Sequence, residues 1–287
     1  MKMTRRNFVK RSGIVLGSTA MLGPLDFNIK AVAAKTVNSF GFQVWTIREK
    51  IIEDLAGTCK MMAGLGYSEV EMCSPLGYSE SGFEPLNKMS GSEMRTIIED
   101  AGLHCISSHF TLGELRDSLD NRIEWANQLG MKQMILSSFW LPRDTATVDD
   151  YRKSADELNV IAEKTKQAGL QMGFHNHNME FEKKGGTLIY DALMEELDPD
   201  LVKMQFQVAV VSIGYKAADY FRKYPGRFIS AHLADWSKEE DKQVPIGQGV
   251  VDWKDFFAAA KTGGVKNVFV EMAPETFEES AKFLLSL

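Results

Sequence analysis

Eight short apolar segments recur along the chain, at 40–47, 69–73, 103–110, 133–138, 170–175, 202–208, 228–233 and 267–271, separated by runs of helical periodicity. Within them every second residue is mostly apolar, as in Val70 and Met72 or Phe206 and Val208. The alternate positions near the C-terminal ends are mostly polar or ionisable: Gln43 and Trp45, Glu71, His109, Ser137, His175, Gln207, His232 and Glu271. In a strand the two parities face opposite sides. One apolar side, and another that turns polar toward one end, is what a closed parallel barrel wrapped in helices requires. The pattern predicts a single α/β domain, a (β/α)8 barrel with a polar set converging at its C-terminal mouth.

The first four helical runs, at 49–65, 92–101, 114–129 and 149–168, end at Gly66, Gly102, Gly130 and Gly169, each suited to a left-handed cap. Shorter ones follow at 188–197, 215–224, 253–262 and near 278–285. The connections at 74–89 and 234–251 are the longest and are expected to shape a site.

Residues 1–33 read as an export segment outside the fold. Arg5 and Arg6 precede apolar Phe8, a moderately apolar run covers 14–22, and Ala31-Val32-Ala33 is a small-x-small cleavage site. That run is well short of the ~20 residues a membrane span needs. A twin-arginine signal peptide and a periplasmic protein are therefore expected, with a barrel domain at 34–287. Cleavage would leave 254 residues, the size of one TIM barrel. It would also reduce 33 basic and 39 acidic residues to 27 and 38, moving the net charge from −6 to −11. So acidic a body argues against a nucleic-acid partner. Cys59, Cys73 and Cys105 are too few, and odd in number, for a disulfide framework and read as buried thiols.

The densest reactive cluster is His175-Asn176-His177-Asn178-Met179-Glu180. His175 and His177 share a parity and are expected to point into the mouth, with Glu180 in the loop beyond. Glu271, between Val270 and Met272, is costly to bury unless paired, hydrogen-bonded or metal-bound, which marks it for chemistry. Glu71 reads either as a site carboxylate or as part of a structural ion pair. His109 is placed for catalysis or for a bond to a substrate hydroxyl, and His104, of opposite parity, reads as structural.

The stretch Gly41-Phe42-Gln43-Val44-Trp45-Thr46-Ile47-Arg48, the His175-Asn176-His177-x-x-Glu180-Phe181 cluster, Tyr224-Pro225-Gly226-Arg227, His232-x-x-Asp235, Gly247-Gln248-Gly249-Val250-Val251-Asp252-Trp253 and Glu271 together resemble the sugar phosphate isomerase/epimerase family of xylose isomerase-like TIM barrels. The resemblance covers essentially all of 34–287. It implies a divalent metal (Mn, Zn or Mg) held from strands five to eight by His175, Gln207, His232 and Glu271. The chain departs from the family at Gln207, where relatives carry an acidic ligand, and at Ala234, where many carry Lys. An amide oxygen offers a hard cation only a dipole, so the site is weakened or lost. In a third arrangement Gln205 and Gln207 bind sugar hydroxyls while Glu271 and a histidine do metal-free acid/base work.

The resemblance implies proton abstraction α to the carbonyl of a sugar or keto-sugar by an isomerase, epimerase or lyase, with Glu271, His175 and Glu180 as the catalytic set. Trp45, Glu71, His109, His177, Gln205 and Asp235 are the expected substrate contacts. Export extends the reading to a 3-keto-sugar lyase or hydratase, and no Gly-rich loop opens a helix as a phosphate cradle. The aromatics Trp45, Phe110, Phe139, Trp140 and Trp236 offer stacking faces for a sugar. A non-catalytic or metal-free sugar-binding barrel is the alternative. The partner expected is a small carbohydrate, and a homo-oligomer is allowed without being indicated by any motif.

Overall fold

Gly66, Gly102, Gly130 and Gly169 all adopt positive φ, from 79° to 102°. This is the left-handed turn that reverses a helix into the next strand where no Cβ obstructs it. These turns set the alternation of helix and strand in the computed structural model, which describes residues 39–287. The barrel strands are β1 Gly41–Gln43, β2 Glu69–Cys73, β3 His104–Phe110, β4 Gln133–Leu136, β5 Gln171–His175, β6 Val202–Gln207, β7 Phe228–Leu233 and β8 Asn267–Val270. All neighbours pair in parallel, and β1 closes the ring between β2 and β8. The helices outside are α1 Arg48–Glu53, α2 Leu55–Gly64, α3 Gly91–Asp100, α4 Leu112–Leu129, α5 Val148–Gln167, α6 Ile189–Glu196, α7 Ala217–Lys223, α8 Trp253–Gly263 and α9 Phe277–Ser286. The twin-arginine segment and cleavage site expected at 1–33 lie outside the described residues.

Two elements differ from expectation. The first strand ends at Gln43 rather than at 47, because Trp45–Ile47 coils into a 3-10 turn whose Trp45 N–H is taken by Gln43 Oε1. The single helix expected at 49–65 is broken at Asp54, which leaves helical geometry to accept the Gly57 N–H at 2.8 Å and cap α2. A short Asp side chain competes with the helix in this way. Two hairpins were also not foreseen: Lys183–Lys184 with Thr187–Leu188, turned by Gly185 and Gly186, and Asp235–Ser237 with Lys242–Val244.

The lumen is filled in layers. At the bottom, Gln133 donates to Asn267, which donates to Glu69. Above lie Gly41 and Gly173, whose missing side chains make room for Phe269 and Ile135; a Cβ on Gly41 would come 2.6 Å from the Phe269 ring. The top layer is polar. The β2–β3 register shifts at Val70/Glu71 and the β6–β7 register at Met204/Gln205. Such irregularities re-aim side chains, and here Glu71 and Gln205 meet across the lumen. The three cysteines are buried free thiols, and His104 is exposed at the start of β3.

Candidate active site

Glu71 is fully buried on β2. Its Oε1 accepts from Ser107 Oγ at 2.6 Å and Gln205 Nε2 at 2.8 Å. Its Oε2 meets His232 Nε2 and lies 3.3 Å from His109 Nε2. Burial alone would raise its pKa, but the imidazoles of His109 and His232 override that and hold it below the usual carboxylate range. Glu71 does not line the cavity above it.

His232, on β7, links this buried carboxylate to a second one. Its Nδ1 lies 2.9 Å from Glu271 Oε2, just past β8. Burial opposes a charge on the ring, yet Glu71 and Glu271 on either side lift its pKa to about 10. Glu271 gains in return: burial would raise it, and His232 holds it down at about 2. At neutral pH the row is therefore carboxylate, imidazolium, carboxylate. Glu271 Oε2 also accepts Gln207 Nε2 at 2.6 Å. Oε1 accepts no hydrogen bond among the described residues, and the side chain, 15% exposed, reaches the mouth.

Gln207 is engaged at both ends, since its oxygen accepts the Ala209 N–H at 3.2 Å while its nitrogen holds Glu271. One of the two lone pairs of that oxygen, which the resemblance assigns to a cation, is thus taken by the backbone. An Asp here would set a second anion against Glu271, whereas Gln supplies a donor. Gln205 Nε2 donates to Glu71 and, at 3.0 Å, to Ser230 Oγ, so its oxygen must accept from His109 Nε2–H at 2.7 Å. The neutral His109 ring then carries its acceptor nitrogen at Nδ1. Burial lowers the pKa of His109 and, helped by the neighbouring imidazoles, holds that of His175 far below normal. His177 is pushed down to about 4, again by burial.

Above these groups opens a cavity of about 360 Å³. Trp45, Tyr78 and Trp140 form aromatic walls, and His109, His177, Gln207, Gln243 and Glu271 present polar atoms. No Lys or Arg lines it among the described residues. The buried Nδ1 atoms of His175 and His177 have no partner among those residues. His109, His175 and His232 each bring one nitrogen within 4.8 Å of the other two and could hold a metal.

Of the expected site residues, Glu71, His109, Gln205, Gln207, His232 and Glu271 form one connected hydrogen-bond network. The His175 ring sits 4.4 Å from that of His232, and Trp45 and His177 line the cavity. Two others are employed elsewhere. Glu180 is buried outside the cavity wall, accepting the His177 N–H at 2.7 Å. Asp235 accepts from Gly247, Gly249 and Val251 N–H groups and from the Trp253 indole, binding a loop together rather than facing a ligand. Phe110 and Phe139 are core residues, packed on Trp125 and Phe174. Ser107 and Ser230 were overlooked, although each stands two residues before a mouth histidine on the same parity. Gln243 was overlooked because nothing in the local pattern announced its hairpin.

A closed barrel with a polar network opening at its C-terminal mouth is a TIM barrel of the kind that works at that face. Residues 59–287 match the xylose isomerase-like TIM barrel family, and the chain belongs to it. No curated protein matches it in sequence. Among solved structures, a sugar phosphate isomerase/epimerase from Parabacteroides distasonis ATCC 8503 is similar with TM-score 0.70 and 21% identity, over 91% of this chain and 97% of that one. D-psicose 3-epimerase, solved in the presence of D-fructose, is similar with TM-score 0.61 and 13% identity, over 86% and 97%. The IOLI protein, which binds a zinc atom, is similar with TM-score 0.58 and 16% identity, over 86% and 94%.

Proposed function

We propose that the protein abstracts a proton α to the carbonyl of an uncharged sugar or keto-sugar, in an isomerisation, epimerisation or elimination, with Glu271 as the base. The observation that carries this is the asymmetry of Glu271. Oε2 is held by Gln207 and His232, while Oε1 is left at the cavity. A carbon acid needs a base fixed within reach and a donor for the oxygen on which charge develops. His177, neutral, lines the same cavity; its Nδ1 is buried, so Nε2 is the nitrogen suited to donate to that oxygen. Where no metal takes it, His109 Nδ1 is placed to accept from a substrate hydroxyl. The lack of Lys and Arg in the described wall supports an uncharged substrate over a phosphate ester, and the tryptophans suit the apolar face of a sugar ring. A structural neighbour that is a D-psicose 3-epimerase supports the same substrate class. The twin-arginine segment supports a periplasmic setting, where a 3-keto-sugar lyase or hydratase fits.

A divalent metal fits the residues present. The donors are imidazoles, which favour zinc over manganese or magnesium, and His175 Nδ1 is a buried nitrogen with no other partner among the described residues. His109 and His175 would hold it, near Glu271, and His232 would join them only by giving up a proton and its bond to one carboxylate. Bound there, it would polarise the sugar carbonyl. Metal-free proton transfer is the second reading, favoured by the complete hydrogen bonding of His232.

The test is carbon-bound deuterium exchange in D2O, across a panel of ketoses, 3-keto-glycosides and their phosphate esters, with and without added zinc. Exchange reports proton abstraction whichever product forms. It is expected for an uncharged sugar and should fall about 10²–10⁴-fold in Glu271→Gln. Exchange confined to phosphate esters, or undiminished in the variant, would sink the reading. Sugar binding without exchange would leave a binding barrel. Elemental analysis of protein purified without chelator decides the metal independently, since zinc lost in His175→Ala places it on the imidazoles.

A further inference from the structure

The connection after β7 folds back as the hairpin Asp235–Ser237 with Lys242–Val244, which lays Gln243 on the cavity rim. Lys242 before it is exposed and Val244 after it is buried, yet neither lines the cavity. Gln243 Oε1 accepts the N–H of Ala273, two residues beyond Glu271, at 3.2 Å. A backbone N–H can only donate, so the amide cannot be reversed and Nε2 is its free end. Among the described residues Nε2 has no hydrogen-bond acceptor. A neutral donor is thus anchored beside the base, in a wall that has no cation among those residues.

A two-stranded hairpin is marginal by itself, and Asp235 at its base holds this one. Its Oδ1 accepts from Trp236 N at 2.9 Å and Val251 N at 3.1 Å. Its Oδ2 accepts from Gly247 N, Gly249 N and Trp253 Nε1 at 3.0, 3.2 and 2.9 Å. The approach is so close that a Cβ on Gly249 would come 2.1 Å from Oδ1.

We propose that Gln243 is a substrate-binding residue whose Nε2 donates to a hydroxyl or carbonyl oxygen of the sugar held over Glu271, and that Asp235 is the positioning residue that keeps it there. The proposal rests on the reading that this cavity takes an uncharged sugar.

Binding is measured as quenching of tryptophan fluorescence by the uncharged members of the same sugar panel, independently of exchange, and the tightest binder is the probe. Gln243→Leu, at the rim, is expected to raise Kd about two- to tenfold, the worth of one neutral hydrogen bond. It should raise the KM of exchange by a similar factor. Asp235→Asn should raise Kd comparably in the wild-type background and no further in the Gln243→Leu background. An unchanged Kd in Gln243→Leu overturns the substrate contact, and additive effects overturn the positioning role. Loss of kcat in Gln243→Leu at unchanged Kd also overturns it. Wild type that binds sugars without exchanging them defeats the catalytic reading but leaves the contact measurable. If no sugar on the panel binds, both readings fall.

Discussion

Glu180→Gln separates a structural carboxyl from a catalytic one through its pH dependence. Glu180 is fully buried, with Oε2 on the His177 N–H and Oε1 without a partner among the described residues. Burial pushes its pKa from 4.5 up to about 7. The folded state therefore binds this proton more tightly than the unfolded chain does. Its contribution is fully present below pH 4.5 and is lost as pH rises through about 7. The gap between 4.5 and about 7, at roughly 1.4 kcal/mol per pH unit, amounts to about 3 kcal/mol. A glutamine keeps an oxygen for the His177 N–H and never ionises. The variant should match wild type at pH 4.5 within about 1 kcal/mol and exceed it by about 3 kcal/mol at pH 8. In a chain of this size that is roughly 6–12 °C in Tm. Denaturant titrations at pH 4.5, 6, 7 and 8 read the difference. Curves that stay parallel would refute the reasoning, because Glu180 would then be ionised throughout or paired. Deuterium exchange should remain within a few-fold of wild type, since Glu180 does not line the cavity.

Glu71→Gln should behave oppositely to Glu180→Gln. It removes one of the two carboxylates that hold the buried His232 imidazolium, so a loss of roughly 3–5 kcal/mol is expected by chemical denaturation at pH 7; a loss below about 1 kcal/mol would mean the ring is not charged there. Gly41→Ala should cost about 1–3 kcal/mol, because the new Cβ meets both the Phe269 ring and the Glu69 carbonyl at under 3 Å. Gly64→Ala, in a helix with nothing within 4 Å, should instead stabilise by about 0.4–1 kcal/mol, and thermal melts of the pair test the layered packing of the lumen.

The architecture was legible because its signals are local. Strand parity depends only on neighbouring residues, and it brought Glu71, His109, His175, His232 and Glu271 to one mouth before any contact was known. Helix ends were legible at Gly66, Gly102, Gly130 and Gly169 because a positive φ is a property of one residue. The break at Asp54 was missed because helical periodicity continues across it, while a capping side chain acts against the run it interrupts.

Parity alone could not rank the two mouth glutamates. Glu71 is held below the cavity by Ser107, Gln205 and His232, partners 36, 134 and 161 residues away, whereas Glu271 keeps one oxygen at the cavity. Asp235 and Glu180 follow strand ends just as site residues do, yet backbone N–H groups from folded loops claim them. Gln207 stands where the resemblance puts a metal ligand, and only the structure shows Ala209 and Glu271 holding the two ends of its amide. The sequence by itself determined the barrel and the side of it that each polar residue faces, because backbone periodicity is set within a few residues. Only the tertiary structure decided which of those residues are free to act, because the hydrogen bonds that occupy Glu71, His232 and Glu271 come from chain that only closure of the barrel brings near, and those on Glu180 and Asp235 from the loops it folds.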